Sequence, residues 1–78
     1  MTKVKLATRE QRLISIGKKI RVARVAAELT QEDLAVKINS HRQTIGLIED
    51  GRVDTGIKML FKIADALKVN LKDLISNT

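Results

Sequence analysis

The chain has 78 residues, fifteen Lys and Arg against nine Asp and Glu, and a formal net charge of +6, a length that suits one small domain and excludes two. It has no cysteine and one histidine, which excludes a disulfide framework, a thiolate nucleophile and a zinc site, implies no cofactor, and fits a reducing cytoplasm. The absence of proline and the single aromatic, Phe61, argue against an all-β domain, and no apolar run is long enough for a membrane span or placed for a signal peptide.

The charge is unevenly placed. Residues 1–24 carry eight basic side chains and one acid, Glu10, whereas the rest of the chain is close to neutral. A basic end on a neutral body suggests a polyanion partner, and a solvated helix face with a basic tail explains it equally well. Residues 1–7, with Lys3 and Lys5, are expected to form a flexible basic arm, either idle or in contact with such a partner. Residues 8–78 are expected to form one domain.

Thr8 and Gln11 have the spacing of a capping box. A first helix is expected from there to about Ala27, with Leu13, Ile16, Gly17, Ile20, Ala23 and Ala27 on one stripe. Arg24 falls inside that stripe, where a charge needs a partner. Thr30 caps a second helix with acids in its first turn and Leu34, Ala35 and Ile38 inside. Asn39-Ser40 marks a turn, and Asn39 tolerates the left-handed conformation a tight turn needs. A third helix is expected to about Asp50, with Gly51 as its terminator. A fourth begins at Asp54-Thr55-Gly56 and carries a wide apolar arc: Ile57, Leu60, Phe61, Ala64 and Leu67, then Met59, Ile63 and Ala66 beyond. Asn70 with Asp73 can cap a short fifth helix, Leu71 to about Ile75. The fold class is therefore all-α, with five helices.

The segments IGKKIRVAR, LTQEDLA, RQTIGLIEDG and MLFKIADALKVNLKDLI follow one another over Ile16–Ile75. In order and spacing they resemble the lambda-repressor-like (Cro/XRE) helix-turn-helix family. The resemblance implies a five-helix DNA-binding domain with the helix-turn-helix in helices 2 and 3. Asn39 stands where the family usually has glycine, and Ser40 where it usually has an apolar residue.

On the third helix, Arg42, Gln43, Gly46 and Leu47 share a face opposite Thr44, Ile45 and Ile48. That face is free to enter a major groove, where Arg42 suits guanine, Gln43 adenine and Leu47 a thymine methyl. The resemblance adds His41 to the base-reading candidates. It also gives Gln31 the role of gripping a phosphate at the start of the second helix. Thr44, Lys37 and Arg52 are further phosphate candidates, with solvated surface as their alternative. Gly46 either lets the backbone approach DNA closely or is a tolerated surface glycine. Arg24 is expected to pair with Glu49, as the family commonly does, and so to orient the recognition helix from behind.

A near-palindromic operator read by a homodimer is the expected mode of binding. Met59, Ile63, Ala66, Leu71, Leu74 and Ile75 are the candidate dimer surface, unless the fifth helix folds over them within one chain. The expected function is a sequence-specific transcriptional regulator in the cytoplasm, on the nucleoid, with double-stranded DNA as partner and no evident small-molecule ligand. Phage-type repressor, restriction–modification controller and antitoxin all remain open. The alternative is a protein-interaction module or antitoxin-type partner using the same helices. No carboxylate pair, nucleophile–base set or phosphate-cradling loop suggests an enzyme.

Overall fold

The computed structural model describes residues 8–76. They form α1 (Arg9–Ala26), α2 (Gln31–Lys37), α3 (Arg42–Glu49), α4 (Ile57–Leu67) and α5 (Leu71–Ile75), with no strand among the described residues. The arm expected over residues 1–7 lies outside them.

Two helices begin with the same device. Thr8 Oγ1 accepts from the Gln11 N–H at 3.1 Å, and Gln11 Oε1 accepts from the Thr8 N–H at 2.9 Å. Thr30 and Asp33 repeat the pattern at 3.0 and 2.9 Å. Each box satisfies two backbone groups that a helix start leaves orphaned. Its hydrogen bonds, that from the Thr30 backbone first, hold the Asp33 carboxyl below its ordinary range. α4 and α5 start without side-chain caps, at Gly56 and Asn70. The cap expected from the Asn70 side chain is not made; its carbonyl instead accepts from the Asp73 N–H at 3.0 Å.

Four helices also end alike. Glu28 (φ 59°), Asn39 (φ 56°), Gly51 (φ 70°) and Lys68 (φ 58°) each take the left-handed conformation just past a last turn. In each case that residue's N–H and the next one fold back onto carbonyls of the turn. Glu28 reaches Val25 and Leu29 reaches Arg24; Asn39 reaches Val36 and Ser40 reaches Ala35; Gly51 reaches Ile48 and Arg52 reaches Leu47; Lys68 reaches Asp65 and Val69 reaches Ala64, all at 2.8–3.2 Å. These bonds satisfy helix-end carbonyls and turn the chain sharply.

The sharp turns gather one core. Ile20 from α1, Leu34, Ala35 and Ile38 from α2, Ile45 and Ile48 from α3, Leu60, Ile63, Ala64 and Leu67 from α4, and Leu74 from α5 form a single buried cluster. Ile16 and Ala23 flank it on α1, but Ala27 lies past the helix end and is exposed. Gly17 is buried where α1 crosses the end of α3. A Cβ there would sit 2.5 Å from the carbonyl oxygens of both Ile48 and Glu49. Only glycine lets these two backbones come so close.

The arc of α4 is phased differently from the sequence expectation. Ile63 and Leu74, expected on a dimer surface, are 0% and 1% exposed. The reason is that α5 folds back onto α1 and α4 and seats Leu74 in the same cluster as Ile63. Met59, Ala66 and Leu71 are half-buried against that core. Ile57 and Phe61, expected inside, are exposed instead, as is Ile75.

Candidate nucleic-acid interface

α2, the turn through Asn39 and α3 form a helix-turn-helix. Ala35 is fully buried beside Ile45, and Ile48 completes the inner side of α3. The opposite side of α3 is open: Arg42 and Gln43 are exposed, while Gly46 and Leu47 are half-buried; Thr44, expected with Ile45 and Ile48, is half-buried where those two are buried. His41 is exposed at the N-cap position in an extended conformation, and its side chain makes no cap. The first-turn amides of α3 therefore keep their partial positive charge. Lys37 at the end of α2 and Arg52 after α3 are exposed cations nearby in the chain, and Gln31 is half-buried at the first position of α2.

Behind α3 lies a polar cluster. Glu49 is 2% exposed, with its carboxylate enclosed. Its Oε2 accepts from Arg24 Nε at 2.6 Å, and its Oε1 accepts from Arg24 Nη2, Arg21 Nε and Gln31 Nε2, each at 3.1 Å. Arg24 Nη1 donates to the Leu29 carbonyl at 2.7 Å, and Arg21 Nη2 donates to Asp50 Oδ1 at 2.8 Å. One carboxylate thus joins α1, α2 and α3, and Arg24 ties the α1–α2 turn to it. Burial pushes the Glu49 carboxyl up, but the hydrogen bonds from Arg24, Gln31 and Arg21, with the Arg24 charge, outweigh it and hold it below the ordinary carboxylate range. The bond to Glu49, then that to Asp50, raises the Arg21 guanidinium above its ordinary value. No buried side-chain polar atom is left without a partner among the described residues.

The structure brings Arg24 and Glu49 together and adds two groups that the sequence reading did not assign to Glu49, Arg21 and the Gln31 amide. Arg21 had a signal: it precedes Arg24 by three residues, so both lie on one side of α1. Gln31 had none, because the contact spans eighteen residues and depends on how α2 crosses α3. Removing Arg24 would therefore not leave Glu49 unpaired, since Arg21 and Gln31 still hold it.

Two surface grooves, about 310 and 590 Å³, lie between α1 and α5 and beside α2 and α4; neither is lined by an α3 residue. Among the described residues, no group of three or more His, Cys, Asp or Glu is placed to hold a metal ion, and no helix is long and apolar enough to cross a membrane.

Comparison with known proteins places the chain. Residues 20–74 match the helix-turn-helix family HTH_3. An uncharacterized HTH-type transcriptional regulator of Methanocaldococcus jannaschii is 45% identical over 72% of this chain and 85% of its own length. The multiprotein-bridging factor 1 of Candida albicans is 39% identical over 76% of this chain, which spans only 39% of that protein. Among solved structures, the restriction-modification controller protein C.AhdI of Aeromonas hydrophila superposes with a TM-score of 0.77 at 31% identity, covering 80% of this chain and 94% of that one. A hypothetical transcription factor from Neisseria, at 23% identity, shares the fold with a TM-score of 0.80, over 96% of this chain and 86% of its own.

Proposed function

Because this chain belongs to the helix-turn-helix family of Cro/XRE type, a family of DNA-binding transcription regulators, we propose that it binds a specific DNA operator and regulates transcription from it. The observation that carries the reading is the asymmetry of α3: its inner side is locked by Ile45, Ile48 and Glu49, and its outer side offers Arg42 and Gln43 with no intramolecular partner among the described residues. Arg42 and Gln43 read base edges in the major groove, Leu47 contacts a thymine methyl and His41 supports them at the helix start. Gln31, Thr44, Lys37 and Arg52 contact phosphates and set the register. Arg24, with Glu49, fixes the angle of α3.

The protein acts as a homodimer on a near-palindromic site. Its apolar surface is revised to Ile57 and Phe61, one turn apart on α4, with Ile75 on α5, in place of the buried Ile63 and Leu74. The likeness to the controller protein of Aeromonas hydrophila favours a repressor or controller acting on chromosomal DNA inside the cell. The test is selection of bound duplexes from a random pool at stated salt. A two-fold symmetric consensus is expected, and Arg42→Ala with Gln43→Ala is expected to abolish selectivity while non-specific binding survives. A pool that yields no consensus overturns the reading. It leaves the protein-interaction module, which the kinship to a multiprotein-bridging factor supports.

A further inference from the structure

The Gln31 side chain does more than occupy the start of α2. Its Nε2 donates to Glu49 Oε1 at 3.1 Å, and an ionised carboxylate only accepts, so the orientation of the amide is fixed by chemistry. A Cβ added at Gly46 would lie 3.9 Å from both Nε2 and Oε1 of Gln31. The amide therefore lies across the one residue of α3 without a side chain. Its second N–H and its carbonyl oxygen have no partner among the described residues.

We propose that Glu49 is a positioning residue for DNA binding: its carboxylate holds the Gln31 amide over Gly46, so that this amide clamps one backbone phosphate in fixed register with the reading side of α3. The chemistry is a single N–H donor offered to an anionic oxygen. A free glutamine on a helix start would have to lose rotamer freedom on binding. Here Glu49 has already removed it. A Cβ at Gly46 would meet the amide only in ordinary contact, so the hold on the amide belongs to Glu49 and not to the glycine.

The proposal deepens the DNA-binding reading, and a phosphate clamp is testable on any duplex, so the two can fail separately. A duplex carrying the selected consensus and a scrambled duplex of the same composition are titrated over a range of salt. Gln31→Ala is expected to weaken both by the same factor, about ten-fold or more, the size of one hydrogen bond to a charged group. The salt slope should not change, because glutamine carries no charge, whereas Lys37→Ala should lower it by about one. In a Glu49→Gln background, Gln31→Ala should cost much less than in the wild type. Additive losses overturn the positioning role. A loss confined to the consensus duplex makes Gln31 a base reader and overturns the clamp. Should Glu49→Gln fail to fold, nuclear magnetic resonance of the wild type decides: the Gln31 side-chain amide should be shifted and slow to exchange in the free protein, and free-solvent values overturn the proposal.

Discussion

The two ends of this small domain are held together by different physics. Around α3 the contacts are directional. A buried carboxylate collects four hydrogen bonds, and Gly17 lets α1 touch the carbonyls of Ile48 and Glu49. Around α4 and α5 the contacts are apolar, from Leu60, Ile63, Ala64, Leu67 and Leu74, and the surplus Ile57 and Phe61 remain outside. Hydrophobic contact tolerates small shifts, whereas charge-assisted bonds at 2.6 Å do not. Geometry is fixed most tightly where α3 must be aimed, and the more adaptable surface lies where a second copy is proposed to sit.

The largest test of that contrast is on the apolar side. Ile63→Ala should cost about 2–5 kcal/mol in urea unfolding, because the cavity lies in the centre of the core. Phe61→Ser should barely change protomer stability, and it should move the sedimentation profile toward monomer. Equal losses for the two would erase the distinction drawn between buried and surplus apolar residues. On the directional side, Arg24→Met should fall toward the low end of the about 3–5 kcal/mol that breaking a buried pair costs, since Arg21 and Gln31 still bond Glu49. Gly17→Ala should cost about 1–3 kcal/mol by forcing α1 off α3.

Acid should act on the directional side first. Glu49 is held below the value of 4.5 for an unperturbed glutamate. Its stabilising contribution is thus complete above that value and is lost as pH falls through the folded-state value. Asp33, lowered from 3.8, acts in the same direction. Unfolding midpoints measured from neutral pH downward should decline below about pH 4.5, and Glu49→Gln should flatten part of that decline. The smallest effect expected is at Lys68. Replacement by glycine relieves a left-handed residue, which costs roughly 1–2 kcal/mol when it has a Cβ, and the looser unfolded chain offsets part of the gain. A rise in melting temperature checks it.

Lys68 also shows where sequence reasoning reaches its end. The four left-handed closures are alike in geometry, yet only Gly51 and Asn39 announce themselves, because only those residue types favour that conformation locally. At Glu28 and Lys68 the backbone is bent by its own return bonds and by the packing that follows, which no local preference encodes. The helices were legible from their apolar stripes, the capping box of Thr8 and the cap of Thr30 from the backbone groups a helix start leaves unsatisfied, and the need of Arg24 for a partner from its place on an apolar stripe, with Glu49 supplied by the family resemblance; that Thr30 also makes a full box with Asp33 came from the structure. The phase of α4 was not. An arc of eight apolar residues offers two nearly equal faces, and the choice between them falls to α5, which is five residues long. Arg21 was missed because an exposed arginine raises no question by itself, while an arginine on an apolar stripe does.

Arg42 and Gln43 make no side-chain hydrogen bond or ion pair among the described residues, and both are exposed. Neither side chain contributes a hydrogen bond or ion pair to the fold. A library randomised at His41, Arg42 and Gln43, with Gly17, Arg21, Arg24, Gln31 and Glu49 left untouched, should keep its fold throughout while its members part company in the DNA they choose.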